Sequence, residues 1–332
     1  DTVVRFANPI DGVVSFQDAV LGGITISNKE LDDFIIARAD GSPTYNFTVV
    51  VDDIEMQISH VIRGNDHVNN TPRQINLMQA LGVTPPVYAH LPLILGDDGK
   101  KLSKRHGALS VLEYQKQGYL PHALLNYLLR LGWSHGDDEI FSQADMMRLF
   151  DLEHINKSPA RFDSKKSLWL NQHYIKQASP NDLVPAVKQL AKELQRDYSQ
   201  GPDLTAVIAA LQERAKTLVE LVEKSAFFYE EITHYDEKAL AKQSTADTQS
   251  LVASVHAKLL ALTDWQEEAL HTVLTDVAAE TGLKLGKVAQ PVRLALTGGT
   301  VSPSLGVTLF LLGKDTSLQR LLNFTQYLDA NT

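Results

Sequence analysis

The first part of the chain consists of short apolar runs separated by polar and glycine-containing turns, a pattern typical of strands. Residues 3–6 and 13–16 are such runs within a small irregular region. Residues 47–51 and 58–62 are strongly β-prone runs without alternation, as expected of strands that are buried on both faces. The pattern therefore predicts a sheet that is covered on two sides.

A helix is predicted after the second of these β-prone runs. Residues 70–72, Asn-Thr-Pro, supply a cap and a proline suited to the first helical turn, and Gly82 ends the helix. Residues 88–95 form another apolar extended run, so the predicted order is strand, helix, strand. This order indicates a fragment of a nucleotide-binding α/β fold.

From residue 107 onwards the apolar positions follow a helical period. Residues 120–131 place leucines on one face before Gly132, residues 204–228 form one long amphipathic stretch, and a polar linker is predicted over residues 242–250. Other caps, stops and turns are predicted at Ser179-Pro180, Thr263 with Gln266, Gly282, Gly298-Gly299 and Asp315. Because no period of 20 to 50 residues recurs, packed helical bundles are expected rather than a repeat solenoid.

Composition excludes several classes of protein. The chain has 332 residues, 44% of them apolar, which is enough to bury at least two cores. Its formal charge of −9 gives no basis for non-specific nucleic-acid binding, so any contact with RNA must be made by a local patch. The absence of cysteine excludes disulfides and thiolate zinc sites and fits a reducing cytoplasm. Apolar runs are too short to span a bilayer. Since the chain starts without an initiator methionine or a signal-peptide pattern, we expect it to be the middle of a longer protein.

A cationic segment follows the extended run over residues 88–95. A turn at residues 97–99 precedes four cations in six positions, Lys100, Lys101, Lys104 and Arg105. Mobile cations can follow a phosphate chain whose charge redistributes as pyrophosphate leaves, which stabilises the transition state more than the ground state. A solvated basic hairpin tip is the alternative interpretation. A phosphate-binding P-loop is excluded, because its glycine spacing and its hydroxyl residue are missing.

Residues 101–105, KLSKR, resemble the loop usually written KMSKS in class I aminoacyl-tRNA synthetases, in the form common among glutamate enzymes. Segments that resemble the same family in order and spacing lie at residues 40–47, 61–67, 69–74, 118–121, 126–128 and 131–134. The resemblance covers about residues 1–175 by motif and the rest by helical character. The chain therefore resembles a bacterial-type glutamyl-tRNA synthetase, as a carboxy-terminal portion that lacks the amino-terminal half of the catalytic domain.

The resemblance implies roles for individual residues. These are Lys104 and Lys101 in catalysis; Lys101, Ser103, Lys104, Arg105 and Asp66 in ATP binding; and Tyr45 and Arg63 in glutamate binding. A guanidinium fork and a phenol suit a carboxylate, and Arg63 follows a strand end, where α/β folds bind ligands. The alternatives are a surface ion pair for Arg63, core packing for Tyr45 and a helix cap for Asp66. Magnesium would accompany ATP, and no zinc site is expected.

The implied fold is multidomain, α/β plus all-α. A partial Rossmann-type nucleotide fold would be followed by a helical stem-contact region and a helical-bundle anticodon-binding domain. The implied boundaries are 1–38 for a remnant of the acceptor-binding insertion, 39–106 for the second half of the catalytic domain, 107–178 for the stem-contact region, and 179–332 for the anticodon-binding domain, with a split into two bundles near 245–262.

The implied reaction is ATP-dependent formation of glutamyl-adenylate, followed by transfer to tRNA(Glu), by a cytoplasmic monomer. The family's His-Ile-Gly-His-type signature is absent from these residues, so we expect this chain alone to be inactive. A glutaminyl-tRNA synthetase is one alternative, although it would usually carry β-barrel anticodon domains, and a glutamyl-queuosine enzyme would lack them. The other alternative is a non-catalytic tRNA-binding or partner-docking module derived from a synthetase.

Further candidates carry less specific signals. A basic concentration where the family's chain would run beside tRNA comprises Lys157, Arg161, Lys165, Lys166 and Lys176, with a solvated face as the equal alternative. His106 could help to hold phosphate, although a solvated loop is favoured. Structural roles are expected for most of His60, His67 and His90, and core positions for Trp133 and Trp169.

Overall fold

The computed structural model describes residues 2–96, 98–102, 110–243 and 245–331. Within these residues the chain divides into two compact units. The first consists of residues 1–110 with 124–165, and the second of residues 111–123 with 166–332. No helix in the described part of the chain is long and apolar enough to cross a membrane.

The first unit is built on a sheet with the strand order β3-β2-β6-β5. The strands in chain order are β1 Val4–Phe6, β2 Val13–Asp18, β3 Gly22–Ser27, β4 Phe34–Ala37, β5 His60–Gly64, β6 Val87–Leu91, β7 Ile94–Leu95 and β8 Ala160–Arg161. Strand β6 pairs in parallel with β5 and with β2, whereas β2 and β3 form an antiparallel hairpin. Strands β1 and β4 pair antiparallel, and β7 and β8 pair in parallel.

Helices occupy much of the remaining chain. They are α1 Tyr45–Glu55, α2 Thr71–Ala80, α3 Val111–Lys116, α4 Pro121–Gly132, α5 Gln143–Leu149, α6 Ser164–Gln177, α7 Pro180–Glu193, α8 Leu204–Leu211, α9 Leu218–Ser225, α10 Glu237–Gln243, α11 Ala246–Ala261, α12 Glu267–Thr281, α13 Leu285–Thr297, α14 Leu305–Leu312 and α15 Lys314–Asn331. A 3-10 helix, Asn65–Asn70, joins β5 to α2. The predicted order of strand, helix, strand is confirmed by β5, α2 and β6.

The β-prone run over residues 47–51 is not a strand but the middle of α1. Phe47, Val50 and Ile54 are spaced three and four residues apart, and all three belong to an apolar cluster that contains Leu77 and Met78 of α2. Because this spacing places them on one helical face, burial against α2 outweighs the strand preference of the valines. The run over residues 58–62 does form a strand, β5, which begins and ends two residues later than predicted.

Several helix boundaries in the second unit also differ from prediction. The stretch over residues 204–228 is divided into α8 and α9, with Thr217 capping α9. The predicted linker over residues 242–250 is mostly helical, since α11 begins at Ala246. Helix α12 begins after Gln266 without a side-chain cap, and Asp315 lies inside α15 instead of capping it. The glycine stops are confirmed, because Gly282 and Gly298 end α12 and α13 with positive φ.

One buried apolar cluster extends through the second unit, from Ile175 to Leu328. It contains residues on both sides of the predicted split near 245–262. In the first unit, strands β2 and β3 belong to the same sheet as β5 and β6, so the sheet includes residues on both sides of the predicted boundary at 38 and 39. The four-part division of the chain into functional domains stays a prediction.

Candidate functional site

Arg63 lies at the carboxyl end of β5, beside His90 of β6 in the parallel register. Its Nη2 donates to the Thr71 hydroxyl at 2.8 Å and to Oε1 of Gln74 at 2.9 Å, and its Nε donates to Nε2 of His90 at 3.2 Å. The Arg63 Cζ lies 5.6 Å from the ring centroid of Tyr88, within cation–π range. The side chain is therefore fixed by the sheet and by the start of α2 rather than free at the surface.

The third guanidinium nitrogen of Arg63, Nη1, has no hydrogen-bond partner among the residues that the structure describes. Arginine carries five N–H donors in a planar fork that matches a carboxylate. An Arg63 side chain that is anchored through two nitrogens and open at the third is suited to bind an anionic ligand. The predicted alternative, a surface ion pair, is not found for Arg63 among the described ion pairs.

Behind Arg63, His90 pairs with Asp18, and both side chains are completely buried. The His90 Nδ1 lies 2.5 Å from Oδ2 of Asp18, while Oδ1 of Asp18 accepts from the backbone N–H groups of Val20, Leu21 and His90. Burial raises the pKa of Asp18 and is the largest single influence, but the hydrogen bonds from Leu21, the His90 ring and Val20 outweigh it. The pKa of Asp18 consequently lies below its ordinary value.

Tyr45 is the first residue of α1 and is 54% exposed, so it is not packed in a core. Its ring centroid lies 6.1 Å from that of His67. The backbone carbonyl of the same histidine lies 3.5 Å from Nη2 of Arg63. His67 is thus a common neighbour of the two side chains that were predicted to bind glutamate.

The two described residues among the predicted ATP ligands contact each other. Nζ of Lys101 lies 2.8 Å from Oδ2 of Asp66, and both side chains are about half exposed. The hydrogen bond from Lys101 lowers the pKa of Asp66 below its ordinary value. Asp66 is in the first turn of the 3-10 helix Asn65–Asn70, where its carboxylate accepts from Lys101.

A tight turn precedes Lys101, as predicted. The N–H of Gly96 donates to the carbonyl of Lys100 at 2.8 Å, and the N–H of Leu102 donates to the carbonyl of Ile94 at the same distance. Gly99 has φ +75°, a conformation that glycine adopts without strain. The turn therefore returns the chain along β7 and places Lys101 opposite Leu95.

Ser103, Lys104, Arg105 and His106 lie outside the described residues, so their roles stay predictions. Of the basic candidates, Lys176 forms an exposed ion pair with Glu213 at 3.4 Å, and the tRNA-contacting role of all five candidates stays a prediction. Trp133 is confirmed as a core residue at 1% exposure, whereas the core prediction is wrong for Trp169, which is 51% exposed. No group of three or more His, Asp or Glu side chains suited to a metal ion is found in the described part of the chain.

Sequence reasoning missed the buried partners of Arg63. Asp18 is 72 residues from His90 along the chain, and no local pattern connects them. Their proximity follows from the sheet, because β6 lies between β2 and β5. To predict this pair one needs the order and register of β2, β6 and β5. The prediction of residues 47–51 as a further strand prevented the sequence from giving that order.

Comparisons with known proteins agree on a single family. Residues 1–169 match the family described as tRNA synthetases class I (E and Q), catalytic domain, and residues 182–325 match an anticodon binding domain. The chain is 54% identical over 329 residues to glutamate–tRNA ligase 1 of Alkalilimnicola ehrlichii, which covers 99% of this chain and 70% of that protein. It is also 54% identical over 319 residues to glutamate–tRNA ligase 2 of Coxiella burnetii, at 96% and 68% coverage.

A solved structure gives the same result. The chain superposes with a TM-score of 0.85 and 31% identity on a glutamate tRNA ligase from Elizabethkingia meningosepticum in complex with its amino acid, covering 98% of this chain and 68% of that one. A second glutamate–tRNA synthetase, from Elizabethkingia anophelis, gives a TM-score of 0.81. The predicted fold class, a Rossmann-like domain followed by a helical domain, is confirmed.

Proposed function

Because the chain belongs to the glutamyl-tRNA synthetase family of class I aminoacyl-tRNA synthetases, we propose that it supplies part of a site that activates L-glutamate with ATP. An α-carboxylate oxygen of glutamate attacks the α-phosphorus of ATP, and the bond to the β-phosphate oxygen breaks, which releases pyrophosphate. The terminal ribose of tRNA(Glu) then attacks the adenylate carbonyl, and AMP leaves. The observation that carries the proposal is the anchored Arg63 with its open Nη1.

In this proposal Arg63 and Tyr45 hold the glutamate substrate. Nη1 of Arg63 binds a carboxylate of glutamate, and the exposed phenol of Tyr45 donates a second hydrogen bond. Because Arg63 is already held by Thr71, Gln74 and His90, little conformational entropy is lost when glutamate binds. Support comes from the position of Arg63 at the carboxyl end of a parallel strand.

Lys101 and Lys104 act on the phosphates, together with Ser103 and Arg105 of the KLSKR segment. The ion pair between Lys101 and Asp66 joins two exposed side chains, and such pairs are weak in water. A triphosphate carries more charge than one carboxylate and can therefore displace Asp66 from Lys101. Asp66 is then available to hydrogen-bond elsewhere on the nucleotide.

Magnesium enters this site with ATP. Mg²⁺ is usually held by one or two carboxylates together with substrate phosphates, and Asp66, which lies 2.8 Å from Lys101, would be available to the ion once ATP displaces it from that lysine. When bound, the ion neutralises charge on the phosphates. The residues of the chain orient the substrates and stabilise the charge that develops on the leaving group.

We further propose that these 332 residues form only part of a bacterial-type enzyme and do not form adenylate by themselves. Support comes from the coverage of about 68–70% of the curated relatives and from the absence of a His-Ile-Gly-His-type signature in this sequence. We propose that this enzyme acts in the cytoplasm, where tRNA is charged, and that it is a monomer. The helical residues 182–325 would read the anticodon of tRNA(Glu).

The test is glutamate-dependent exchange of pyrophosphate into ATP in the presence of tRNA(Glu). Two proteins are compared: the chain itself, and a completed protein in which the amino-terminal region of the Alkalilimnicola ehrlichii ligase is fused before residue 1. The completed protein is expected to catalyse exchange, and the chain alone is expected to be at least about a hundred-fold slower, the scale of losing one preorganised charge donor. Exchange by the chain alone at the rate of the completed protein would overturn the proposal that it is inactive.

A non-catalytic tRNA-binding or partner-docking module is the competing function, favoured by the absence of the signature. Binding of the chain to tRNA(Glu) and to an anticodon-altered tRNA(Glu) separates the two functions. Base readout predicts a preference of roughly 1–3 kcal/mol per contacted base. A completed protein without exchange activity, together with equal binding of both tRNAs, would favour the docking module.

A further inference from the structure

Asp18, His90 and Arg63 form a continuous hydrogen-bonded series across β2, β6 and β5. We propose that the buried pair of Asp18 and His90 is a positioning pair, which holds the Arg63 guanidinium in its glutamate-binding orientation by keeping the His90 proton on Nδ1. The inference rests on the proposed function, since the role of Arg63 in glutamate binding belongs to it.

The hydrogen-bonding capacity of each group fixes the position of the His90 proton. A carboxylate only accepts, so Nδ1 of His90 must donate to Asp18 across 2.5 Å. The Nε of arginine only donates, so Nε2 of His90 must accept from Arg63 across 3.2 Å. Only the neutral imidazole with its proton on Nδ1 satisfies both contacts.

The Thr71 hydroxyl is consistent with the same proton position. Its oxygen lies 2.8 Å from Nη2 of Arg63, which can only donate, and 3.1 Å from Nε2 of His90. The hydroxyl can accept from Arg63 and donate its own proton to the lone pair on Nε2. A proton on Nε2 of His90 would instead point a second N–H donor at Nε of Arg63, which cannot accept it.

Charge supports the neutral ring as well. An ionised Asp18 and the Arg63 guanidinium balance each other across His90, and the lowered pKa of Asp18 fits the ionised state. A proton on each ring nitrogen of His90 would place a second N–H donor 3.2 Å from the Arg63 Nε, which cannot accept it.

Asp18, at one end of this hydrogen-bonded series, is held in place by backbone groups. Its Oδ1 accepts the N–H groups of Val20 and Leu21 at 2.9 and 2.8 Å and that of His90 at 3.2 Å. The carboxylate is therefore held to the backbone of β2 and β6. Burying an ionised carboxylate costs free energy compared with burying an apolar side chain of similar volume, so stability alone does not account for Asp18 at this place.

Substitution of Asp18 by asparagine is predicted to reverse the tautomer of His90. The amide oxygen is required at the Oδ1 position, because three backbone N–H groups point at it. The amide NH₂ then takes the Oδ2 position and donates to Nδ1 of His90, which forces the ring proton onto Nε2. This change keeps side-chain size and removes the acceptor that holds Nε of Arg63, as in other buried Asp–His pairs where asparagine imposes the wrong tautomer.

The tautomer can be read directly by NMR of the chain labelled with ¹⁵N-histidine, with the His90 signals assigned by their loss in His90→Gln. We expect the proton on Nδ1 in the wild-type chain and on Nε2 in Asp18→Asn. Asp151→Asn is the matched control, because it alters an exposed contact of an aspartate with His154 at 2.8 Å and should leave His90 unchanged. A wild-type His90 that carries its proton on Nε2 overturns the proposal without need of a variant.

The functional arm uses the completed protein in the exchange assay. Asp18→Asn is expected to raise the KM for glutamate about ten-fold or more, with the KM for ATP within about two-fold of wild type, because a misdirected guanidinium weakens charge-assisted hydrogen bonds to the amino acid alone. Asp151→Asn should change neither constant. An additional Arg63→Lys substitution is expected to add little to the effect of Asp18→Asn, because both act on one contact.

The possible results distinguish the proposed function from the positioning pair. A wild-type completed protein without glutamate-dependent exchange overturns the proposed function, while the tautomer of His90 is still decided by NMR. An active wild type in which Asp18→Asn leaves the KM for glutamate unchanged overturns the positioning pair. Equal increases in both KM values also overturn it, because they indicate general damage to the sheet.

Discussion

Arg63 illustrates how the neighbours of a side chain, rather than its own identity, prepare it for binding. Two of its three guanidinium nitrogens are engaged by buried polar groups of β6 and α2, including Thr71 at 0% exposure and Gln74 at 2%. Such polar groups have no access to water, so losing the Arg63 contact would leave Oε1 of Gln74 unsatisfied. The arginine and its acceptors are consequently interdependent.

Sequence reasoning identified Arg63 but not the residues that hold it. The motif around residue 63 is local and could be recognised without any tertiary information. Asp18 and His90 owe their contact to strand order, and His90 was assigned a structural role because it lacked the paired spacing of a metal ligand. Residue identity reveals candidate chemistry, whereas the support for that chemistry depends on the register of the sheet.

Lys104→Ala in the completed protein is expected to lower the rate of adenylate formation by about a hundred-fold or more, on the scale of removing one preorganised charge donor from a transition state. Single-turnover formation of glutamyl-adenylate measures this rate. Lys100→Ala is the matched control, because it removes a neighbouring cation to which no role is assigned. Equal rates for Lys104→Ala and the wild-type protein would remove the KLSKR segment from the proposed mechanism.

At the scale of secondary-structure elements, packing between elements determines whether a segment such as residues 47–51 is a helix or a strand. The valines of α1 favour a strand, yet Phe47, Val50 and Ile54 have the spacing of a helical face and pack in the cluster with α2. The signals of Pro72 at the start of α2 and of the glycines that follow α12 and α13 are confirmed, because they act through backbone geometry. The side-chain caps predicted at Thr263 and Asp315 are wrong.

Gly118, which follows α3, is a position where an element is held by a close backbone approach. Its φ is +80°, its carbonyl accepts from the N–H of Leu218 at 2.9 Å, and a Cβ there would lie 2.5 Å from the backbone nitrogen of Val219. The buried Asn171 bridges the same place, accepting from the N–H of Leu120 at 2.8 Å. A side chain at residue 118 must therefore displace the start of α9.

Gly118→Ala is expected to lower the free energy of unfolding by about 1–3 kcal/mol or more, from the positive φ together with the steric contact. Urea unfolding followed by far-ultraviolet circular dichroism measures the change. Gly286→Ala, at the exposed start of α13 with no atom within 4 Å of the added Cβ, should be neutral or stabilising by up to about 1 kcal/mol. A Gly118→Ala chain as stable as the Gly286→Ala chain would contradict the close approach.

For the whole molecule, the two units correspond to two kinds of sequence pattern. The first unit contains the sheet and most of the segments that resemble the family's motifs, whereas the second unit buries one long apolar cluster of helices. The order of β5, α2 and β6 and the family were predictable from the sequence, because the motifs lie in a fixed order along the chain, whereas α1 was predicted as a strand. Helix boundaries and the extent of the second core depend on contacts distant in sequence and were not predictable from it.

The net charge of −9 also has a consequence at this scale. An acidic protein that binds tRNA must do so through local basic surfaces, and association with RNA weakens as salt releases the bound counterions. Lys157, Arg161, Lys165, Lys166 and Lys176 stay the predicted phosphate contacts.

The proposed binding of glutamate by Arg63 is tested most directly by the charging of tRNA(Glu) by the completed protein with and without Arg63→Lys. We predict glutamyl-tRNA formation by the wild type. Arg63→Lys should raise the KM for glutamate about ten- to a hundred-fold at an unchanged KM for ATP, because lysine lacks the planar fork that the acceptors hold. A wild-type KM for glutamate in the Arg63→Lys protein would contradict the claim.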